Sequence, residues 1–341
     1  MSPASTEQFL LEQYTGHPAS QLQDLRKALY QSVFGCEHLI TDTSAAAEGI
    51  RREAAEAGPC SREIEALDGP WSRVQLGVLA DGLTPETLSR MFARSAAMSH
   101  GDADALQEKL TVLRRLIRSG ALPYSPAEAD AELDDWRKNG FPVCRHSEEY
   151  RAAYRPAYRV LHRTYVRLLP LLAAIDRALA ENPRVLLAIE GGAASGKSTL
   201  ADLLTAIYPD TALFHADDFF LRPEQRTAAR YAQPGGNLDR ERLESEILIP
   251  ISRNKAAVYR PFNCRTLSLR EPVTILPGRL NIVEGSYSFH PELARYYDLS
   301  VFLDISPETQ RSRILERNGP EWGQQFFDRW IPLEQTYFHE T

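Results

Sequence analysis

The strongest chemical motif in the chain is a glycine-rich stretch followed by a lysine and a hydroxyl residue. Residues 191–199 read GGAASGKST and satisfy the pattern G-x-x-x-x-G-K-[ST]. The motif comprises Gly191, Gly192, Ala193, Ala194, Ser195, Gly196, Lys197, Ser198 and Thr199. Glycines let several backbone N–H groups point inward at phosphate, and the following helix adds the positive end of its dipole. Lys197 supplies a mobile charge for the β and γ phosphates and the Ser198 hydroxyl can bind Mg²⁺, so the stretch predicts a nucleoside triphosphate site.

Acidic side chains follow three other apolar runs. Asp217 and Asp218 come after one run, Glu284 ends the next, and Asp304 ends the last. Ligands of open parallel sheets bind beyond the carboxyl ends of the strands, so all these acids are candidates for chemistry. Glu284 is well placed to hold magnesium, directly or through water. Asp304 stands just before a Ser-Pro pair, and we interpret it as a turn or helix-capping residue.

Four short apolar runs would position these residues in the second half of the chain. They are VLLAIE (185–190), TALFHA (211–216), LNIVEG (280–285) and LSVFLD (299–304). Continuous apolar runs separated by helical patterns are typical of parallel strands buried on both faces. The first run leads into the glycine-rich loop, and leucines follow the loop at helical spacing, which is the context that the motif requires. The pattern predicts an α/β domain over 183–341, with a parallel β-sheet flanked by helices.

Residues 1–182 give helical patterns and little that reads as strand. Apolar residues recur at helical spacing in three stretches, 22–33, 106–117 and 161–179. Thr84-Pro85 and Ser125-Pro126 look like helix starts, the second with Glu128 placed to complete a reciprocal cap. Pro170 interrupts the last stretch and predicts a kink or a new helix there. We expect a mostly α-helical N-terminal domain, whose role these patterns leave open.

Two polar stretches stand out in this first half. FGCEHLI (34–40) sets Glu37 and His38 between apolar residues, and residues 143–165 combine His146 and His162 with tyrosines and arginines. A basic, aromatic segment could bind phosphate or nucleotide through Arg and stack a ring on Tyr. We favour a partly exposed segment whose aromatic rings pack on a neighbour. The spacing of the histidines gives no support for a metal site, so we assign no metal ligand here.

Composition and charge exclude several classes of protein. The net charge of −7 over 341 residues argues against a general binder of nucleic acid or membrane surfaces, because such surfaces need an excess of Lys and Arg. The four cysteines form no C-x-x-C pair, so neither a disulfide framework nor a zinc cluster is indicated. No window approaches the roughly 20 apolar residues of a membrane-spanning helix. We therefore expect a cytoplasmic protein without a membrane partner.

The second half resembles a known family. The phosphate loop, the Asp-Asp-Phe-Phe after the next strand, PGGNLD, IVEG and an arginine-rich helix together resemble the uridine kinase and phosphoribulokinase group of P-loop kinases, over 184–341. The resemblance implies that Asp217 acts as the base toward the acceptor hydroxyl and that Glu284 is the acid of the magnesium site. Ser198, Glu284 and Asp217 are therefore our candidate magnesium ligands. Asp218 is expected to cap backbone N–H groups of the turn or to reach a magnesium-bound water.

The resemblance also implies a mobile lid that brings arginines onto the phosphates. It corresponds to the helix that contains Arg311, Arg313 and Arg317. Arg313 and Arg317 lie four apart on one helix face, where they could clamp a phosphoryl group in transfer. A solvated basic face is the alternative on sequence alone. The resemblance favours the catalytic interpretation.

The sequence departs from the uridine kinases where those enzymes read their acceptor. QPGGNLD (233–239) and VYRPFNC (258–264) stand in place of the ribose-gripping turn and the base-reading Tyr/His pair, which argues against uridine as the acceptor. Tyr259, Arg260 and Asn263 could face a smaller or anionic hydroxyl compound, or could be a strand-edge tyrosine and a surface arginine. We interpret Asp239 as the N-cap of the next helix rather than as a ligand.

These observations predict an ATP- and Mg²⁺-dependent kinase that acts on a hydroxyl of a small metabolite, such as a nucleoside-, sugar- or pantothenate-like alcohol. Two alternatives stay open. The P-loop half could be a regulatory ATPase that switches a partner bound by the helical half. The chain could instead be bifunctional, with a second activity on the same metabolite in residues 1–182.

Overall fold

The computed structural model describes residues 3–36, 42–58 and 61–341. Its backbone contacts divide the chain into two compact units, Met1–Asp176 and Arg177–Thr341. The division falls a few residues before the domain boundary predicted at residue 182, which stays a prediction. Glu37 and His38, singled out in the sequence, lie outside the described residues.

The N-terminal unit combines helices with a small sheet. Its helices are α1 (Pro3–Gly16), α2 (Leu22–Phe34), α3 (Thr43–Ala57), α4 (Pro85–Ala97), α5 (Ala103–Arg118), α6 (Pro126–Lys138), α7 (Glu148–Tyr154) and α8 (Arg163–Val166), and α9 (Leu169–Glu181) crosses the division between the units. Its strands are β1 (Ile64–Ala66), β2 (Trp71–Gln75) and β3 (Tyr158–His162), and a 3₁₀ helix covers Leu76–Asp81. Helices α1, α2, α5 and α6 bury their apolar faces in one core with Trp71 of β2.

The sheet of this unit corrects the sequence interpretation. Strands β1, β2 and β3 form an antiparallel sheet with β2 in the centre, and Trp71 pairs with His162. The segment 161–179 is therefore not one helical stripe, because Leu161 lies in β3. The strands are only three to five residues long, and β3 pairs with β2 across more than 80 residues of sequence, so local patterns could not reveal this sheet. The new helix expected at Pro170 is confirmed, since α9 begins at Leu169.

The two predicted helix starts give different outcomes. Thr84 caps α4 as expected, and its hydroxyl accepts a hydrogen bond from the Thr87 backbone N–H at 3.2 Å. Ser125 stands at the N-cap of α6, but its hydroxyl makes no capping hydrogen bond. The reciprocal cap with Glu128 was therefore wrong. Pro126 still begins the helix, because its fixed φ suits the first helical position.

Asp24 holds the segment around residue 146 onto helix α2. One carboxylate oxygen accepts from His146 Nδ1 (2.8 Å) and the Ser147 N–H (3.0 Å), and the other accepts from Ser147 Oγ (2.6 Å) and the Gln21 N–H (2.9 Å). Burial alone would raise the pKa of Asp24, but these hydrogen bonds outweigh burial and lower it. Burial lowers the pKa of His146 to about 4, so the imidazole is neutral near pH 7.

We expect Asp24→Asn to destabilise the protein by about 1.5–3 kcal/mol, the usual contribution of hydrogen bonds to a charged group. The new amide N–H₂ group would face N–H and O–H groups that now donate hydrogen bonds to the carboxylate. Urea unfolding at pH 7 measures the change. Glu56→Gln, at an exposed position of α3, is the matched control and should change stability by less than about 0.5 kcal/mol. Equal stabilities for the two variants would contradict the proposed role of Asp24.

The C-terminal unit alternates strands and helices. Its strands are β4 (Val185–Gly191), β5 (Thr211–His215), β6 (Ala257–Tyr259), β7 (Phe262–Asn263), β8 (Ser268–Leu269), β9 (Val273–Ile275), β10 (Leu280–Glu284) and β11 (Leu299–Leu303). Its helices are α10 (Lys197–Ile207), α11 (Ala228–Tyr231), α12 (Arg240–Leu243), α13 (Ile249–Ser252), α14 (Pro307–Gln325) and α15 (Ile331–Glu340). Short 3₁₀ helices cover Ala216–Phe219, Pro223–Gln225 and Ala294–Tyr296, and π-helical turns cover Glu244–Leu248 and Phe326–Trp330.

The central sheet is the one predicted from the four apolar runs. All four strands are parallel and lie in the order β11, β4, β10, β5. Every residue of β4 and β10 is buried, whereas β11 alternates between half-buried and exposed residues, as an edge strand does. Because the strands are parallel, their carboxyl ends meet at one edge, which carries the phosphate loop and the candidate acids. The mixed α/β class is confirmed.

Helix α14 contains a break. Gly319 takes φ 73° and ψ 169°, outside helical values, and Pro320 follows it. Proline disfavours the helical conformation at the residue before it, and glycine tolerates a positive φ without a steric penalty. The chain then continues through Phe326–Trp330 into α15. No helix in the described parts of the chain is both long and apolar enough to cross a membrane.

Candidate active site

The glycine-rich loop predicted to bind phosphate, called the phosphate loop, connects β4 to α10 in a curled backbone. Gly191 has φ 148° and Gly196 has φ 103°, and Ala194 takes the left-handed value of 59°. A Cβ on Gly191 would lie 2.5 Å from the Leu303 carbonyl oxygen, so a side chain there would collide with β11. The two glycines at the ends of the loop are therefore required by backbone conformation, and by close packing at Gly191.

Lys197 is folded back over the loop that precedes it. Its Nζ donates to the carbonyl oxygens of Gly191 and Gly192, both at 2.9 Å. These bonds keep the ammonium beside the loop rather than in bulk solvent. A charge so placed can attract phosphate oxygens that approach the loop amides.

A hydroxyl and a carboxylate meet at the start of α10. Ser198 Oγ donates to Glu284 Oε1 at 3.2 Å, and His215 Nδ1 lies 2.6 Å from the same oxygen. The parallel register of β10 and β5 sets Glu284 beside His215. The hydrogen bond to Glu284 raises the pKa of His215. Sequence reasoning missed His215, since its contact with Glu284 depends on which strands are neighbours.

The Ser198–Glu284 pair fits a magnesium ion. Both groups offer oxygen, the ligand atom that Mg²⁺ prefers, and Mg²⁺ commonly takes only one or two carboxylates beside water and phosphate oxygens. Across residues 3–36, 42–58 and 61–341, no three His, Cys, Asp or Glu side chains gather as a metal cage. A site completed by the nucleotide phosphates is therefore the kind of magnesium site that these residues can form.

Asp217 and Asp218 lie on a turn rather than on an extended strand. Strand β5 ends at His215, and the 3₁₀ helix Ala216–Phe219 follows. Asp217 is exposed at the carboxyl edge of the sheet, whereas Asp218 is half-buried and accepts from Tyr259 OH at 3.4 Å. Asp218 thus bonds to a tyrosine hydroxyl rather than to the backbone N–H groups of the turn that one expectation gave it. The alternative, a contact with a magnesium-bound water, stays a prediction.

The pKa of each aspartate is raised. For Asp217 the main cause is loss of hydration among the surrounding protein groups, and Glu284 adds a like charge that Lys197 partly offsets. Solvent still reaches this side chain, which limits its loss of hydration. For Asp218 the main cause is again loss of hydration, opposed by His215 and Arg270. A carboxyl with a raised pKa is a better proton acceptor than an ordinary aspartate.

The three residues predicted to bind the phosphoryl acceptor make different contacts in the structure. Tyr259 is buried, stacks on Phe219 with ring centroids 5.2 Å apart, and reaches Asp218. The Arg260 guanidinium donates to the carbonyl oxygens of Arg270 (2.8 Å) and Leu269 (3.3 Å). Both of these bonds hold the hairpin of β7 and β8. Of Tyr259 and Arg260, only Tyr259 forms a hydrogen bond with a candidate acid.

Asn263 serves the turn of the same hairpin. Its Oδ1 accepts from the backbone N–H groups of Arg265 (2.9 Å) and Thr266 (3.4 Å). Two other interpretations of polar residues are confirmed. Asp239 caps α12 through the Arg242 N–H, and Asp304 accepts from the N–H of the next residue just before Ser306 caps α14.

The structure brings one of the lid arginines to the phosphate loop. Arg313 Nη1 donates to the Ala194 carbonyl oxygen at 3.1 Å. Arg317 instead donates to Asn318 and lies 5.8 Å from the Phe326 ring centroid. Arg311 likewise lies over the ring of Phe327, at 4.5 Å. Arg313 and Arg317 therefore contact different groups, although they are four residues apart on one helix.

Two buried glutamates at the loop were not predicted. Glu190 accepts from the N–H groups of Tyr287 (2.6 Å) and Phe289 (2.9 Å) and from Tyr337 OH (2.9 Å). Glu334 of α15 accepts from the Ala193 N–H (2.9 Å) and from Ser286 Oγ (2.7 Å). Burial raises the pKa of both. The acid at the end of the first strand was a visible signal for Glu190, but nothing in the local sequence marks Glu334.

Comparison with known proteins gives limited information. No protein-family model matches the chain, and no curated protein matches it. Among solved structures, the chain is similar to a possible uridine kinase from Bacillus stearothermophilus, with 20% identity over 50% of this chain and 92% of that chain, and a TM-score of 0.37. A likeness at this identity and TM-score gives no evidence about substrate or reaction.

Proposed function

We propose that residues 183–341 form an ATP- and Mg²⁺-dependent kinase domain that phosphorylates a hydroxyl of a small metabolite. The observation that carries the proposal is the grouping of Lys197, Ser198, Glu284 and Asp217 at the carboxyl edge of one parallel sheet. A phosphate-binding loop, a magnesium-type oxygen pair and an accessible carboxylate are the parts that phosphoryl transfer to a hydroxyl needs.

The roles follow from position. The loop amides and Lys197 bind the triphosphate, and Arg313, which contacts the loop, adds positive charge beside it. Mg²⁺, held by Ser198 and Glu284, would neutralise charge on the phosphates. Asp217 orients the acceptor hydroxyl and accepts its proton. The acceptor oxygen forms the new bond to the γ-phosphorus, the bond to the bridging oxygen breaks, and ADP leaves.

The acceptor binds beside Tyr259 in this proposal. Arg260 and Asn263 form hydrogen bonds within the β7–β8 hairpin, so Tyr259 is the remaining predicted acceptor residue beside the acids. We propose an alcohol of the nucleoside, sugar or pantothenate type. Uridine is not favoured, because QPGGNLD (233–239) and VYRPFNC (258–264) depart from the segments with which uridine kinases read their acceptor. The cytoplasmic location stays a prediction, and no role is assigned to the N-terminal unit.

An acceptor panel tests the proposal. The full chain is incubated with ATP, Mg²⁺ and separate nucleosides, sugars, pantothenate-like alcohols and amino-alcohols, and ADP release is followed. We expect release that depends on one class of acceptor. ADP release that needs no acceptor would contradict the kinase proposal and favour the regulatory ATPase.

We expect Glu284→Gln to raise the Mg²⁺ concentration for half-maximal activity by at least about tenfold, because the amide removes the charge that binds the cation. A Mg²⁺ titration of ADP release at saturating ATP measures the shift. Glu321→Gln, at an exposed position of α14, is the matched control and should leave the titration unchanged. An identical Mg²⁺ requirement in both variants would remove Glu284 from the magnesium site.

A further inference from the structure

A carboxylate of the C-terminal helix occupies part of the phosphate loop. Glu334 Oε2 accepts the backbone N–H of Ala193 at 2.9 Å, and only 6% of the Glu334 residue surface is exposed. A Cβ built on Gly192 would lie 3.4 Å from the same oxygen, so the carboxylate packs directly against the loop backbone. Loop N–H groups are the donors with which such a motif binds phosphate. Glu334 therefore uses an anion-binding donor of the proposed nucleotide site.

The charges around Glu334 belong to the same site. Burial raises the pKa of Glu334, the positive charge of Lys197 opposes that shift, and the negative charge of Asp217 adds to it. The hydrogen bonds from the Ala193 N–H and Ser286 Oγ lower the pKa more than Lys197 does, and both favour the ionised carboxylate. A triphosphate on the loop would meet a like charge there, in surroundings from which water is largely excluded.

Polar and aromatic contacts hold the helix in this position. In α15 the buried side chains are Glu334 and Tyr337, which bond to Ser286 and Glu190. Phe338 also approaches the loop, 3.9 Å from the Cβ position built on Gly192. Most residues of 320–330 are exposed or half-buried, with Trp322 63% exposed. Tyr337 also packs on Tyr287 in the core of the unit, and Phe338 packs on Phe302. Withdrawal of α15 therefore has to break these ring contacts as well as the two buried polar contacts.

The chain has a joint at which this segment could move. Gly319 interrupts α14 with φ 73°, Pro320 follows it, and a Cβ built on Gly319 would meet no atom within 4 Å. Hinges absorb changes in φ and ψ at a few residues that end an element. The part of α14 before Gly319 carries Gln310 and Arg313, which bond to the loop carbonyls of Ala193 and Ala194. Movement at Gly319 would release Glu334 while these contacts remain.

We propose that Glu334 is an internal competitor of the nucleotide, and that a triphosphate binds only when α15 withdraws this carboxylate from the Ala193 N–H. The inference rests on the proposed nucleotide site and describes its regulation. The state that can bind ATP, with Glu334 withdrawn, is then only a fraction of the population. Apparent ATP affinity is weakened by that fraction. A structural brace would behave differently, because a brace stays in place when the nucleotide binds.

The first test compares ATP affinity in the full chain. Isothermal titration with Mg-ATP is carried out on the wild type, Glu334→Gln and the control Glu340→Gln, an exposed glutamate of the same helix. We expect Glu334→Gln to bind ATP about tenfold more tightly, the effect of removing one like charge at a partly screened site. The control should bind as the wild type does. Equal or weaker binding by Glu334→Gln would overturn the inference.

The second test needs no variant. Amide hydrogen exchange of residues 331–341 is measured in the wild type with and without ATP. We expect ATP to increase exchange in this segment, because the helix leaves the loop. Protection of the segment by ATP would overturn the inference even if Glu334→Gln failed to fold. If wild type and Glu334→Gln are both folded by circular dichroism and neither binds ATP, the proposed function fails, and the inference fails with it.

Discussion

Asp217→Asn is expected to lower turnover by about 10²- to 10⁴-fold, the usual contribution of a positioned general base. The amide has the size of the carboxylate but cannot take up the proton of the acceptor hydroxyl. ATP affinity should stay close to that of the wild type, because the loop amides and Lys197 bind the phosphates. Steady-state ADP release with the identified acceptor, together with an ATP titration, measures both quantities.

Asp218→Asn is the matched comparison. Asp218 is half-buried and accepts a hydrogen bond from Tyr259, so its loss should disturb the turn while leaving the exposed carboxylate of Asp217 in place. We expect a smaller loss of turnover than for Asp217→Asn. The reverse order would assign the base to Asp218.

The pH dependence gives a second check on Asp217. Its pKa is raised above the ordinary 3.8, and the base must be ionised to accept a proton. Activity should therefore be present above the raised pKa and fall as the pH drops through it. The acid limb of kcat/KM should lie above pH 3.8 and disappear in Asp217→Asn. An unchanged limb in the variant would assign that titration to another group.

Lys197→Met is expected to lower kcat by about 10²- to 10³-fold and to weaken ATP binding, because the loop loses its mobile charge toward the phosphates. The lysine also bonds to two loop carbonyls, so part of the effect would come from a looser loop. Lys197→Arg separates the two causes, since it keeps the charge and changes the geometry.

Lys255→Met, at an exposed position outside the site, is the control for Lys197→Met. It removes the same charge and should leave kcat and ATP affinity within about twofold of the wild type, since exposed charges beyond a Debye length are largely screened. Turnover of Lys197→Met within a fewfold of this control would contradict the role of the loop in phosphoryl transfer.

Much of the C-terminal fold could be predicted because its signals are local. Each central strand is a continuous apolar run, and buried parallel strands need such runs. The loop was recognisable from the pattern G-x-x-x-x-G-K-[ST], because glycines are favoured where the backbone takes positive φ, as Gly191 and Gly196 do. The caps at Thr84 and Asp239 follow from hydrogen bonds within one turn.

The arginines show where spacing stopped being informative. Arg313 and Arg317 share a helix face in the sequence, yet one reaches the Ala194 carbonyl and the other pairs with Asn318. Arg260 was a candidate ligand by position, and its guanidinium bonds to the neighbouring hairpin. A long flexible side chain takes the nearest set of acceptors, and these depend on tertiary packing.

By itself, the sequence determined the order of strands along the chain, the phosphate loop and the acids that follow the strands. Only the tertiary structure decided which strands are neighbours, and with them the contact between His215 and Glu284 and the antiparallel sheet of the N-terminal unit. It also decided that Glu334 lies on the Ala193 N–H. The physical reason is that loop and strand signals come from backbone conformation and burial over a few residues. Contacts across 69 or 141 residues depend on how the elements pack.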